Sequence, residues 1–329
     1  MSSTGFAILS RIPMAKIFLL IMVCLLSVNL WSDEIPAESK WWPSEWGPED
    51  QMGAANRLTP SKVLQAARLI TDGKIYKLGQ LYEADMPLGG SRHYIMNIMG
   101  SPSFGPYGEN HFICNFEIFS GEIGQIGTQF DALGHVGARV GDEDIFYNGF
   151  NRTEFSTAFG LTKLGVEKAG AFFTRGVLID IAGYKGVERL QIGYEITSAD
   201  IEGALEKQGV VILEGDVVLI RTGHSKLWKV DNETYYSGEP GIGMGAGQWL
   251  VNRKVVIVGS DNYGVEVYPA GNQVYPVHQL MLTRNGIYLL ENLFLDELAA
   301  DCVYEFAFVF APVPLKGATG SPGNPIAVK

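Results

Sequence analysis

Five short runs rich in branched and aromatic residues limit most strongly what this chain can fold into. They are Gly176 to Ala182, Asp216 to Thr222, Val255 to Gly259, Ile287 to Leu290 and Tyr304 to Val313. Each has the length and composition of a sheet strand. Two helical segments accompany them. Thr59-Pro60 opens one, in which Val63, Ala66, Ala67 and Ile70 share a face and Gly73 marks the end. Thr197-Ser198 opens the other, Ala199 to Gln208, with Asp200 and Glu202 in its first turn and Gly209 just past its end. The alternation lacks a strict strand-helix-strand cadence, so the pattern predicts an α/β fold on a mixed sheet with a few covering helices. No linker rich in Pro, Ser or charge interrupts it, so residues 33–329 are expected to form one domain. The Gly/Pro-rich tail, 317–329, is expected to wrap the surface.

The start of the chain has a different character. Ile17 to Leu26 is an unbroken apolar run preceded by Arg11 and Lys16, too short to span a bilayer comfortably. Residues 1–32 read as a signal peptide, which implies an exported protein, periplasmic or extracellular, with no membrane attachment after cleavage; an uncleaved anchor is the competing reading. Lys and Arg number 25 against 36 acidic residues, a net charge of −11. Loss of the leader removes two basic residues and leaves 23 against 36, which argues against a nucleic-acid partner. Cys114 and Cys302 then remain, and either a disulfide or two buried thiols would suit an exported chain. Trp41, Trp42 and Trp46 are too apolar for a free tail and are expected to dock on the body or to supply an aromatic lid.

Two common signatures fail. Gly241-Ile-Gly-Met-Gly-Ala246 has dinucleotide-binding spacing, but the polar stretch Lys229 to Pro240 offers no preceding strand. No Gly-x-Ser-x-Gly elbow occurs. The segment Gln125 to His135 is more informative, because Gln125, Gln129, Asp131 and His135 recur at intervals that can gather donors around one point. Gly127 and Gly134 allow the backbone to turn between them. Farther along, His278 and Glu291 lie beside apolar runs, Glu291 at a strand end. His93, His111 and His224 read as surface or internally satisfied residues. Asp261 and Glu266 either orient ligands or brace the turn after the Val255 to Gly259 strand.

These residues resemble the cyclase family of metal-dependent hydrolases, which includes kynurenine formamidase and isatin hydrolase and carries the signature His-x-Gly-Thr-His-x-Asp-x-Pro-x-His. The likeness extends to Trp46-Gly-Pro-Glu-Asp50-Gln51, Asn56-Arg-Leu-Thr59, Gly215-Asp216 through Gly223, Gly259-Ser-Asp-Asn262 with Glu266, Glu291-Asn-Leu293 and Gly320-Ser-Pro322. It implies a swivelling β/β/α fold and a homo-oligomer with the site near a subunit boundary. It also implies that Asp131, His278 and Glu291 are metal ligands and His135 the acid/base. Two signature histidines are replaced by Gln125 and Gln129, and the proline by Leu133. With two carboxylates among the ligands, the charge balance favours one divalent ion, Zn²⁺ or Mn²⁺, with Gln125 and Gln129 either residual ligands or hydrogen-bonding partners of water or substrate. The expected activity is metal-dependent hydrolysis of a small amide, such as an aryl formamide, a lactam or a related cyclic compound, with no organic cofactor. The alternative is a secreted small-molecule binding protein that keeps the fold without catalysis. Pro87-Leu-Gly89 stands where kynurenine formamidases carry Trp-Pro-Gly, which leaves the substrate itself open.

Overall fold

Nine strands form one sheet in the computed structural model, which describes residues 40–99 and 104–329. In chain order they are β1 (Ile75–Lys77), β2 (Gln129–Asp131), β3 (Phe172–Asp180), β4 (Val217–Arg221), β5 (Ile257–Ser260), β6 (Tyr288–Glu291), β7 (Glu305–Phe310), β8 (Gly320–Pro322) and β9 (Ile326–Val328). Their order across the sheet is β1-β9-β7-β3-β4-β5-β6-β2-β8. The middle strands β3, β4, β5 and β6 are mutually parallel, and every other pairing is antiparallel. The five predicted runs are therefore β3 to β7 of a mixed α/β sheet, as the sequence implies. The leader expected over 1–32 lies outside the described residues. Among those described, no helix is long and apolar enough to cross a membrane.

The sheet curls strongly. Phe130 of β2 stacks on Tyr288 of the adjacent β6 at 4.9 Å between ring centroids. It also meets Phe172 at 5.4 Å and Phe310 at 5.3 Å, on β3 and β7, which lie far from β2 in strand order. Such contacts require the sheet to wrap around its aromatic face, and these four rings are buried at the centre of the wrap. Side chains alternate along a strand, so the residues flanking Phe130, namely Gln129 and Asp131, point the other way.

The tail departs from expectation. Instead of lying over the surface, residues 320–322 become the edge strand beside β2, and 326–328 insert between β1 and β7 near the opposite end of the sheet. Only residues 323–325 join the two, a reach of about 14 Å, so the tail closes the curl. Physically, the backbone N–H and C=O groups of β2 and β7 need partners, and a Gly-rich strand can approach where side chains would clash. A Cβ at Gly320 would come within 2.8 Å of the Phe130 carbonyl oxygen.

Two helices cover the sheet as predicted, with one change of length. Helix α1 (Pro60–Ala67) is capped by Thr59 but stops before Gly73, and Ile70 of the supposed apolar face is 41% exposed. Only Ala66 of that face is buried, too little apolar area to hold a further turn. Helix α2 (Ser198–Gln208) has Thr197 and Asp200 in a reciprocal capping box and Gly209 in the left-handed conformation at its end. A third helix, α3 (Met244–Asn252), begins within the Gly241 to Ala246 motif, and only the two-residue strand Gly241–Ile242 precedes it. Cys114 is half-buried and Cys302 exposed, and both are free thiols, so neither a disulfide nor a pair of buried thiols describes them. The tryptophans dock as expected: Trp41 Nε1 donates to the Phe146 carbonyl at 3.3 Å, Arg57 lies 4.6 Å over Trp46, and Arg284 lies 5.1 Å over Trp41.

Candidate metal centre

Strands β2 and β6 pair so that Gln129 faces Glu291 and Asp131 faces Leu289. The alternation that buries Phe130 thus turns Gln129, Asp131 and Glu291 to one side. All three strand residues are buried. Gly127 has φ +59°, which lets the chain double back immediately before β2. Gly134 has no such φ; it is needed because Leu161 and the Leu164 carbonyl press against it, where a Cβ would come within 2.4 Å of Leu161 Cδ1. Just after β6, Asn292 takes φ +55° and donates to the Gly127 carbonyl at 2.8 Å while accepting from Tyr235 at 2.7 Å. It ties the two site-bearing segments together.

His278 approaches from a separate element. It ends the helical turn Pro276–His278, which runs into a π-helical stretch, Gln279–Arg284. Its Nδ1 lies 2.6 Å from Glu266 Oε1, and Glu266 also accepts the backbone N–H groups of Val277 and His278, both at 2.9 Å. The Nε2 edge is thereby turned inward, 3.1 Å from Glu291 Oε1 and 3.7 Å from Asp131 Oδ2. One donor atom from each of Asp131, His278 and Glu291 falls within 4.8 Å of the others. Asp131 Oδ2 is buried and has no hydrogen-bond donor.

The electrostatics of this cluster call for positive charge. Burial pushes the Glu291 carboxyl up to about 7, helped by the Asp131 charge and opposed by His278. Burial disfavours a charged His278, but its hydrogen bonds to Glu266 and Glu291 outweigh that and raise its pKa well above the ordinary value. A proton on Nε2 is one way to satisfy two converging carboxylates; a divalent cation with oxygen and nitrogen ligands is another. The donor set fits such an ion, with Glu266 fixing the imidazole so that Nε2 can coordinate.

Gln125 and Gln129 lie in the same cluster. Gln129 Nε2 donates to Glu291 Oε2 at 2.7 Å, and Gln125 Nε2 to Asp131 Oδ1 at 3.3 Å, so each amide steadies one oxygen of a carboxylate, leaving Glu291 Oε1 to His278 and Asp131 Oδ2 without a partner. Of the two residues read as ligand orienters or turn braces, Glu266 is the first and Asp261 the second. Asp261 accepts from Thr222, Gly223 and Ser225, joining the ends of β4 and β5. His224 is buried and its Nε2 donates to the Tyr235 carbonyl at 2.9 Å, while His93 and His111 are exposed.

His135 does not bond the cluster directly. It lines the wall of a cavity of about 460 Å³ whose floor carries Gln125, Gln129, His278 and Glu291. Burial lowers its pKa, with partial opposition from Asp131. The rest of the cavity's lining was not foreseen from sequence: Tyr236, Tyr263, Tyr268 and Tyr275, with Gly89 to Arg92 beginning beside Tyr236. The tryptophans Trp41 and Trp46 line a different cavity, which removes them as a lid over this one.

The Putative cyclase family model matches residues 62–267. A crystal structure of a novel cyclase is similar at 37% identity and a TM-score of 0.78, over 86% of this chain and 96% of that one. Isatin hydrolase A from Labrenzia aggregata, bound to benzyl benzoate, is 24% identical with a TM-score of 0.57, over 77% of this chain and 93% of its own. Isatin hydrolase A from Ralstonia solanacearum is 22% identical with a TM-score of 0.58, over 83% of this chain and 98% of its own. At those identities the isatin hydrolases share the fold. No curated protein matches the chain. The family match spans most of the described sheet, and the chain belongs to the Putative cyclase family.

Proposed function

We propose that the protein is a metal-dependent hydrolase of a small amide, such as an aryl formamide, a lactam or a related cyclic compound, with one Zn²⁺ or Mn²⁺ held by Asp131, His278 and Glu291. The observation that carries this reading is the convergence of those three donors on one buried point, with Asp131 Oδ2 unpartnered. Bound there, such an ion supplies Lewis-acid polarisation of a carbonyl and makes water more acidic. Gln125 and Gln129 hold the carboxylates in orientation, so that little rearrangement accompanies binding.

His135 acts as the base and then the acid. Its lowered pKa keeps the imidazole neutral at neutral pH, so one ring nitrogen can take a proton from the attacking water. The same proton then goes to the departing nitrogen as the carbon–nitrogen bond breaks, giving an amine and a carboxylic acid that then loses its proton to water. We read residues 1–32 as a leader, so the proposed activity is an extracytoplasmic one, and the family resemblance suits a homo-oligomer.

The experiment is to purify the chain, strip it of metal, restore Zn²⁺ or Mn²⁺, and follow turnover of aryl formamides and isatin-like lactams together with metal content. One ion per chain and metal-dependent product formation are expected. Activity that survives metal removal overturns the mechanism. Tight ligand uptake with no product under any metal assigns the fold to binding instead.

A further inference from the structure

The cavity above the metal centre contains one permanently cationic side chain among the described residues, Arg92. Its guanidinium is exposed and pairs with no carboxylate among those residues. The loop beneath it is nevertheless held in place. Arg92 N donates to the Gly89 carbonyl at 3.3 Å, His93 N donates to Glu122 at 2.9 Å, and Gly89 sits so close to Tyr236 that a Cβ would come 2.8 Å from the ring. The backbone that carries Arg92 is thereby held beside the cavity, and its unpaired guanidinium is available to a ligand.

Beside it stand two pairs of tyrosine rings, Tyr236 with Tyr263 at 4.8 Å and Tyr268 with Tyr275 at 5.8 Å. Burial pushes the hydroxyls of Tyr236, Tyr263 and Tyr275 upward, so the walls are aromatic and uncharged. The floor, where Glu291, His278 and the two glutamines converge, is the place for the amide to be cleaved. A second, anionic group on such a ligand has Arg92 as its cationic partner in the cavity. A cavity of about 460 Å³ accommodates a single-ring ligand with its amide toward the floor and a substituent toward Arg92.

We propose that Arg92 is a specificity-determining residue that receives a carboxylate on an aromatic amide substrate, at the end of the ring away from the bond that is cleaved. This rests on the hydrolase reading for its chemistry, but the selectivity for an anionic aromatic can be measured without turnover. Guanidinium and carboxylate match as a two-pronged, charge-assisted pair, and the tyrosines take the ring faces.

The test compares 4-formamidobenzoate with formanilide on the metal-loaded full chain. The wild type is expected to favour the carboxylated substrate. Arg92→Gln is expected to lower the ratio of kcat/KM between the two by about 10- to 100-fold, through KM rather than kcat, and Arg92→Lys to recover part of it. Calorimetric binding of 4-aminobenzoate against aniline provides the arm independent of catalysis. If neither formamide is hydrolysed, yet 4-aminobenzoate binds in a way that Arg92→Gln weakens by a similar factor, the hydrolase reading fails and the role of Arg92 stands. A substrate ratio and a binding preference that are both unaltered by Arg92→Gln overturn the assignment.

Discussion

His278 Nδ1 lies 2.6 Å from the Glu266 carboxylate, and that single contact decides which edge of the imidazole faces Asp131 and Glu291. Glu266→Gln keeps the size of the side chain but removes the charge that fixes the ring. Metal affinity, measured by competition with a chromogenic chelator, is expected to fall about 10- to 100-fold. Excess metal should recover the activity, whereas a variant inactive at saturating metal would place Glu266 in the chemistry itself.

Two buried carboxylates converging without a cation repel each other, so the ion should stabilise the fold. At a free metal concentration a hundredfold above Kd, the gain is about 2.7 kcal/mol, visible as a rise in Tm over the metal-free protein. Asp131→Asn should abolish that rise while leaving the metal-free Tm equal or higher, because it relieves the repulsion on Glu291. A metal-induced rise that persists in Asp131→Asn would exclude Asp131 as a ligand.

His135 forms no hydrogen bond with any of the three donors, so its removal separates proton transfer from metal binding. For His135→Ala, kcat should drop about 10²- to 10⁴-fold with metal content unchanged. Because burial lowers the pKa of this histidine, the acidic limb of the wild-type pH–rate profile should lie below 6.5. A limb at higher pH would point to another base.

His224 supplies a pH test of stability away from the site. Burial lowers its pKa to about 4 from 6.5, and the folded state therefore holds the ring neutral. The sign follows: the stability is fully present above 6.5 and is lost as pH falls toward 4, by up to about 3 kcal/mol. Urea unfolding at pH 7.5 and 4.5 should show this loss in the wild type and a smaller one in His224→Gln. Equal losses in both proteins would assign the acid sensitivity elsewhere.

Much of the centre could be read in advance because its logic is local. Gln129 and Asp131 are two residues apart on a strand and so share a face, and Glu291 closes an apolar run that becomes β6. Thr59, Thr197 and Gly209 likewise marked helix ends through capping chemistry that depends on a few neighbouring atoms. Arg92 and the four tyrosines carried no such signal, because separate loops bring them to one cavity only when the sheet has curled. The tail misled for a related reason: its glycines and prolines look like surface linker, yet the unpaired edges of β2 and β7, distant in sequence, recruit it into the sheet.

The placement of the tail also bears on biosynthesis. Gln129 and its partner Glu291 are 162 residues apart in sequence, and the other neighbour of that strand is Gly320–Pro322. While the polypeptide emerges from the ribosome, the segment bearing Asp131 waits for both flanking strands, and the three donors cannot meet before residue 291 has emerged. Contacts of such long range close slowly. A nascent chain of this protein therefore cannot gather its three donors until the strand that carries Glu291 is available to pair.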